Sequence, residues 1–273
     1  MYNLLKKDFG NGQVQFIYYK NFIDVKIEDN DEFPYERFDI LDLDDIDDKK
    51  ISDDLEEIKE KNRLHSQLNN DKRAKSVIYD LARSNSWEWF VTFTFSPDLV
   101  DRTDYKLLKS KLSKWLNNIS VRYCDGNLKY LVVPEQHEKI EQNGLRAWHF
   151  HALMSCCGAL KFVSSGIFQK GYEVFNLPQF KLGFSTSTKI KDTHRVSHYI
   201  TKYVTKSVCM HLAGLRRYLA SNNLNRPVVQ RLIVENEKEF DTMMNEYNVV
   251  WSANKDYKVL NYENTMKIRE VLQ

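Results

Sequence analysis

The sequence lacks the segments that would direct the chain into or across a membrane. It has no run of about 18 consecutive apolar residues, the minimum expected for a segment that spans a bilayer. Its N-terminus, MYNLLKKDFGNG, has neither the apolar core nor the small-residue cleavage site of a secretory signal. We therefore predict a cytoplasmic protein.

Cysteine is scarce, with four residues in a chain of 273. Two of them, Cys156 and Cys157, are adjacent, and the set follows neither a disulfide framework nor a zinc-binding spacing. We interpret them as buried or unreactive thiols in a reducing compartment. The phosphate-binding pattern GxxxxGK(S/T) is also missing, which excludes a P-loop ATPase domain.

The small net charge of +2 conceals an asymmetry along the chain. Residues 1–60 carry 18 acidic and 8 basic side chains, a net charge of −10, whereas the remainder has a net charge of +12. A basic body favours a polyanionic partner such as DNA, because neutralised phosphates release condensed counterions. A solvated basic surface without a partner is the alternative.

The chain divides by composition into an acidic N-terminal extension (1–60), a central domain (61–210) and a C-terminal extension (211–273) that packs on the central domain or follows it. In the first extension, two β-like runs on either side of Lys20-Asn21 predict a hairpin, Gln13–Tyr19 and Phe22–Ile27.

An aspartate-rich segment follows that hairpin. Six aspartates occur in the ten residues of Asp39–Asp48, and such a block is typical of a solvated linker. An inhibitory arm that imitates DNA is the alternative.

The central domain alternates helix-like and strand-like patterns. Apolar spacing and helix-forming composition predict helices, and β-branched or aromatic runs predict strands. The helices are Leu55–Arg83, Asp104–Ser120 and Thr193–Val208, and the strands are Trp89–Phe95, Leu128–Val133, Ala147–Met154 and Phe184–Ile190. This order, with an antiparallel hairpin predicted inside it, favours an α+β fold over a doubly wound parallel sheet.

The most informative local pattern is His149-Phe150-His151 in the strand Ala147–Met154. Alternate residues of a strand share a face, so both imidazoles point the same way and the phenyl ring points to the other side. Two neighbouring imidazoles suit a metal ion, although ordinary core or surface histidines give the same pattern.

A hairpin centred near residue 142 would place Glu135 opposite His149 and Val133 opposite His151. Glu135 would then complete a set of two histidines and one carboxylate on one face. His137 has the same parity as Glu135 and is the competing third ligand. Nitrogen and oxygen donors of this kind suit Mn²⁺ or Mg²⁺ with part of the coordination left to water or phosphate.

The second informative pattern is YITKYVTK, residues 199–206, in the predicted helix Thr193–Val208. Tyr199 and Tyr203 are four residues apart and share a helix face, while Lys202 and Lys206 form a second such pair. A phenol near cations and a metal-polarised phosphate can act as a nucleophile. An amphipathic helix whose tyrosines pack in the core is the alternative.

Together, these patterns resemble the HUH endonuclease superfamily, and more narrowly the replication initiators of small single-stranded DNA phages and rolling-circle plasmids. Phe90–Phe95 (FVTFTF) is similar to the first family motif, Trp148–His151 (WHFH) to the second and Ser197–Lys206 to the third. The resemblance covers residues 70–228 and leaves both terminal stretches uncovered.

The resemblance implies a central five-stranded antiparallel sheet with flanking helices, and it makes residues 61–210 the catalytic domain. It implies that Tyr199 or Tyr203 attacks the scissile phosphate, leaving a 5′-phosphotyrosyl protein and a free 3′-hydroxyl. Lys202 would stabilise the phosphate. The predicted metal ligands are His149, His151 and Glu135, and the predicted DNA contacts are Lys206, Trp148 and Arg195.

The implied partners are single-stranded or hairpin origin DNA and a host helicase and polymerase, in the cytoplasm of a bacterial host. A relaxase or single-strand transposase of the same superfamily would share the chemistry. A DNA-binding repressor without catalysis, in which the histidines and tyrosines are structural, is the rival from another class.

Overall fold

The computed structural model describes residues 1–23, 70, 73–141, 144–192, 197–201, 217–259 and 262–272. The aspartate-rich segment Asp39–Asp48 lies outside these residues, as does most of the predicted helix Leu55–Arg83. No helix in the described ranges is both long and apolar enough to cross a membrane.

The described strands are β1 (Tyr2–Asp8), β2 (Gln13–Ile23), β3 (Trp89–Phe95), β4 (Lys129–Ile140), β5 (Arg146–Ser155), β6 (Val163–Gln169), β7 (Tyr172–Asn176), β8 (Gly183–Lys189), β9 (Leu219–Ala220), β10 (Val228–Leu232), β11 (Asn248–Val259) and β12 (Tyr262–Leu272). The described helical segments are α1 (73–83), α2 (Tyr105–Tyr123), α3 (197–201) and α4 (Glu237–Met244). The chain separates into two units, residues 66–225 and the two terminal stretches 1–65 and 226–273.

The terminal unit contains a five-stranded antiparallel sheet in the order β10-β1-β2-β12-β11. The predicted hairpin at Lys20-Asn21 is wrong, because β2 continues through both residues and pairs with β1. The reversal lies instead at Gly10-Asn11-Gly12, where all three residues have positive φ, a conformation that glycine and asparagine tolerate best.

The two faces of this sheet bury different apolar sets. On one face Leu4, Phe16 and Tyr18 pack with α4, and the Tyr18 ring stacks on that of Phe240 at a centroid distance of 5.1 Å. The interleaved residues of the same strands form a second cluster with Ile268 of β12. Strands from both ends of the chain therefore share one core, a pairing that the sequence patterns do not reveal.

The central unit is built on a seven-stranded antiparallel sheet in the order β6-β7-β8-β3-β5-β4-β9. The predicted α+β class with antiparallel pairing is confirmed. The sheet has seven strands among the described residues and not five, because the hairpin β6–β7 and the short β9 extend its two edges.

One face of this sheet packs on α2. The helix starts at the cap Asp104, whose carboxylate accepts a hydrogen bond from the Leu107 nitrogen. Its apolar stripe meets the aromatic side chains of β3 and β5 in one cluster, which includes Leu108, Leu112, Phe93, Phe95 and Phe150.

The other face is covered by α1 and α3 over part of its area. Ile78 of α1 and Ile200 of α3 are fully buried against Leu131 and Leu153, which belong to β4 and β5. The residues that carry the His149-Phe150-His151 pattern therefore lie in a strand whose two faces have separate cores. The histidines belong to the face that α3 contacts.

Candidate active site

The register of β4 and β5 places the predicted ligands on neighbouring strands. Glu135 pairs with His149, and Val133 pairs with His151, as the sequence predicts. Directly paired residues of an antiparallel sheet point to the same face. Glu135, His149 and His151 therefore share the face that carries the α1–α3 core.

Glu135 and His151 are in direct contact. The distance between Glu135 Oε2 and His151 Nε2 is 2.7 Å, and the His151 side chain is almost fully buried. The carboxylate therefore fixes the direction in which the Nε2 edge of the ring faces.

Two threonines of β3 hold the opposite edges of the imidazoles. Thr94 Oγ1 is hydrogen-bonded to His149 Nδ1 at 2.8 Å, and Thr92 Oγ1 to His151 Nδ1 at 3.0 Å. These contacts follow from the β3–β5 register, which pairs each threonine with its histidine. Metal-binding histidines are commonly oriented by a hydrogen bond at the second ring nitrogen, and the threonine hydroxyls occupy that position here.

His137 lies beside the other histidine. The ring centroids of His137 and His149 are 3.9 Å apart, and the His137 side chain is exposed. The structure thus brings both candidates for the third ligand to the site, Glu135 against His151 and His137 against His149.

The surroundings keep His149 uncharged. Burial lowers the pKa of His149 to about 4, and the neighbouring His137 and His151 act in the same direction, while Glu135 opposes them. Arg102 makes a smaller contribution that also lowers this pKa. A neutral imidazole is the form that binds a metal ion.

The donor chemistry fits a divalent cation, but the side chains are not arranged as a finished site. In the part of the chain that the structure describes, no group of three or more His, Cys, Asp and Glu residues converges to hold an ion. Two ligand atoms at adjacent positions around Mn²⁺ or Mg²⁺ lie about 3 Å apart. The 2.7 Å contact between Glu135 and His151 is close to that separation, so these two residues need little movement to share an ion.

Tyr199 reaches the histidines through one phenyl ring. The centroid of Phe90 lies 5.2 Å from that of Tyr199 and 5.7 Å from that of His151. Ile200, which is fully buried, anchors α3, while Tyr199 on the same segment is 44% exposed. Core packing therefore does not consume the Tyr199 ring, and a substrate at the histidines has access to it.

The other predicted residues of this segment are outside the described residues. They are Tyr203, Lys202, Lys206 and Arg195, so their predicted roles in catalysis and DNA contact stay predictions.

Trp148 is a correction to the predicted DNA contacts. Its side chain is 3% exposed and packs against Tyr105 at a centroid distance of 5.1 Å. Strand alternation sends it to the α2 face, away from His149. Trp87 and Trp89 are buried as well, in agreement with the core role that their apolar neighbours indicate.

Thr92, Thr94 and Phe90 are site residues that the sequence reasoning did not single out. A usable signal existed, because Phe90, Thr92 and Thr94 have one parity within a predicted strand. Only the pairing of β3 with β5 converts that parity into contact with the histidines.

Residues 88–208 match the model of a family of replication-associated proteins, the ORF2 type. This range is less than half of the chain, and it contains every residue of the site described above. The family match supports a DNA-binding protein of replication, of the Rep initiator type. No curated protein matches the chain significantly, and no solved structure does.

Proposed function

We propose that the central unit, residues 66–225, nicks and rejoins single-stranded origin DNA to initiate rolling-circle replication, as HUH endonucleases do. The observation that carries this proposal is the position of Phe90. Its ring contacts both His151 and Tyr199, so a nucleophile and candidate metal ligands occur on one side of one sheet. The match to replication-associated proteins supports the replication role.

In the proposed reaction, the Tyr199 hydroxyl oxygen attacks the scissile phosphorus. A new phosphorus–oxygen bond forms to the tyrosine, and the bond to the 3′ oxygen of the preceding nucleotide breaks. The phenol proton leaves and the 3′ oxygen gains a proton, which gives a 5′-phosphotyrosyl protein and a free 3′-hydroxyl. Attack by a 3′-hydroxyl on the same linkage reverses these steps and rejoins the strand.

His149, His151 and Glu135 are the residues that would hold Mn²⁺ or Mg²⁺, with His137 as the competing third ligand. Such an ion would stabilise the charge that develops on the phosphate oxygens. Thr92 and Thr94 orient the imidazoles, and Phe90 fixes the distance between Tyr199 and the histidine pair. Lys202 would contact the phosphate, and Tyr203 is the candidate for a second nucleophile.

Tyr199→Phe tests the proposal directly. We expect the variant to bind fluorescein-labelled single-stranded DNA but to lose the main covalent adduct, because phenylalanine has no oxygen to attack phosphorus. Adducts formed with Mn²⁺ are detected on denaturing gels and located by mass spectrometry. Tyr172→Phe is the matched control, since Tyr172 has the same 44% exposure and lies on β7.

Each outcome has a distinct meaning. A phosphotyrosyl peptide that contains Tyr199, lost in Tyr199→Phe and in EDTA, supports the proposal. An adduct only at Tyr203 moves the nucleophile by one helical turn. Tight DNA binding with no adduct on any origin tested would favour the repressor, and an adduct outside residues 199–203 would overturn this assignment of the segment.

A further inference from the structure

Phe184 is an exposed aromatic side chain on the same sheet face as the histidines. It is the second residue of β8 and is 61% exposed. Its partner across the strands is Thr94, and the partner of Thr94 on the other side is His149. Phe184, Thr94 and His149 therefore form one row across β8, β3 and β5.

This row fixes the distance of Phe184 from the candidate active site. Neighbouring strands are about 4.8 Å apart, so Phe184 lies about 10 Å from His149 along the row. A nucleotide chain that passes over the histidines would place an adjacent base within reach of the Phe184 ring.

The backbone beneath the ring is held rigidly. A Cβ added at Gly183 would overlap the Thr94 carbonyl oxygen and lie 2.7 Å from the Ser96 nitrogen, so β8 and β3 approach too closely there for any other residue. On the other side, Ser185 is buried and its hydroxyl oxygen accepts a hydrogen bond from the Leu177 nitrogen at 2.9 Å. Phe184 is thus presented on a fixed scaffold and not on a loose loop.

We propose that Phe184 is a stacking platform for one base of single-stranded DNA, next to the nucleotide bound at the histidines. This inference rests on the proposed function. Bases stack on exposed aromatic rings whatever their sequence, and an open sheet face that presents aromatics is a common surface for single strands.

The surroundings favour a base over an apolar protein partner. The residues of β8 that share the face of Phe184 are Thr186 and Thr188, which are polar, so β8 offers one ring and not a continuous apolar patch. One ring is the size of one base. The net charge of +12 on residues 61–273 is suited to holding the phosphates of the same strand.

Phe184→Ala in the full chain tests the platform. The probe is a fluorescein-labelled single-stranded 20-mer of mixed sequence, measured by fluorescence anisotropy in EDTA so that no cleavage occurs. We expect about 5- to 100-fold weaker binding, since stacking contributes about 1–3 kcal/mol per base. Phe184→Tyr should bind like the wild type. Phe168→Ala is the matched control, because Phe168 is 70% exposed on the edge strand β6.

Two further measurements separate stacking from a loss of fold or charge. The slope of affinity against salt concentration should be unchanged in Phe184→Ala, because the ring neutralises no phosphate. In the wild type, 5-iododeoxyuridine placed in the probe should cross-link on irradiation to the tryptic peptide Leu182–Lys189, which mass spectrometry identifies.

Wild-type DNA affinity in Phe184→Ala, or cross-links confined to other peptides, would overturn the platform and leave the proposed nicking intact. Equal loss in Phe168→Ala would also overturn it, as it would show a general apolar effect. If the wild type fails to bind the single strand at all, the proposed function and the platform both fail.

Discussion

The two faces of the seven-stranded sheet are made by alternate residues of the same strands, yet their chemistry is opposite. Toward α2, β3 and β5 present Phe93, Phe95 and Phe150, which are at most 1% exposed. Toward α3, the same strands present threonines and histidines joined by hydrogen bonds. The strand period of two thus separates stability from chemistry within single stretches of sequence.

Substitution of adjacent residues should break this comparison most strongly. Phe150→Ala is expected to lower the free energy of unfolding by about 3–5 kcal/mol, because it leaves a cavity in the aromatic core. His149→Ala, one residue away, should cost less stability but abolish Mn²⁺ binding. Urea denaturation and calorimetric titration with Mn²⁺ measure the two effects. Equal destabilisation by both substitutions would argue against a division of roles between the faces.

Removal of one hydroxyl should sharpen the comparison on the polar face. Thr94→Val keeps the shape of the side chain but deletes its hydrogen bond to His149, so Mn²⁺ affinity should fall about 10- to 100-fold while folding is retained. Thr94→Ser should restore most of the affinity. Thr186→Val, on the same face of β8, is the control. Unchanged affinity in Thr94→Val would show that the hydroxyl does not position the ring.

The smallest effect expected is a dependence of stability on pH in the metal-free protein. His149 has a pKa of about 4 in the folded chain and an ordinary value of 6.5, so the unfolded chain binds more protons between these values. Stability should therefore be complete above pH 6.5 and decline as the pH falls toward 4.

Substitution of His149 by Gln should flatten this decline, as followed by thermal unfolding with chelator present. An identical pH profile in the wild type and the variant would assign the decline to other groups.

Local alternation carried the correct predictions. The pattern WFVTFTF gave β3 with the bounds that the structure has, and the distance from Glu135 to His149 around a turn near residue 142 gave their register. The side chains that meet across two adjacent strands of one hairpin could be predicted because the turn lies between them in the sequence.

Contacts between distant strands were not predictable in the same way. The pairing of β3 with β5 and β8, which brings Thr94 between His149 and Phe184, depends on how separate elements dock. Trp148 was misassigned for a related reason, since an aromatic beside a histidine pattern lies on the opposite face of the strand. The hairpin at Lys20-Asn21 failed because the glycine-rich reversal at 10–12 was overlooked.

The strand order of the terminal unit has a consequence for biosynthesis. β2 is paired on one side with β1 and on the other with β12, so that Gln13 meets Leu272. During translation the β1–β2 hairpin leaves the ribosome with an open edge and an uncovered apolar face, and it keeps both until nearly the whole chain has been made. An unpaired apolar edge of this kind is a site for misassociation between nascent chains. Shortening the chain by its last strand would make that transient exposure permanent, so C-terminal truncation is expected to produce insoluble protein.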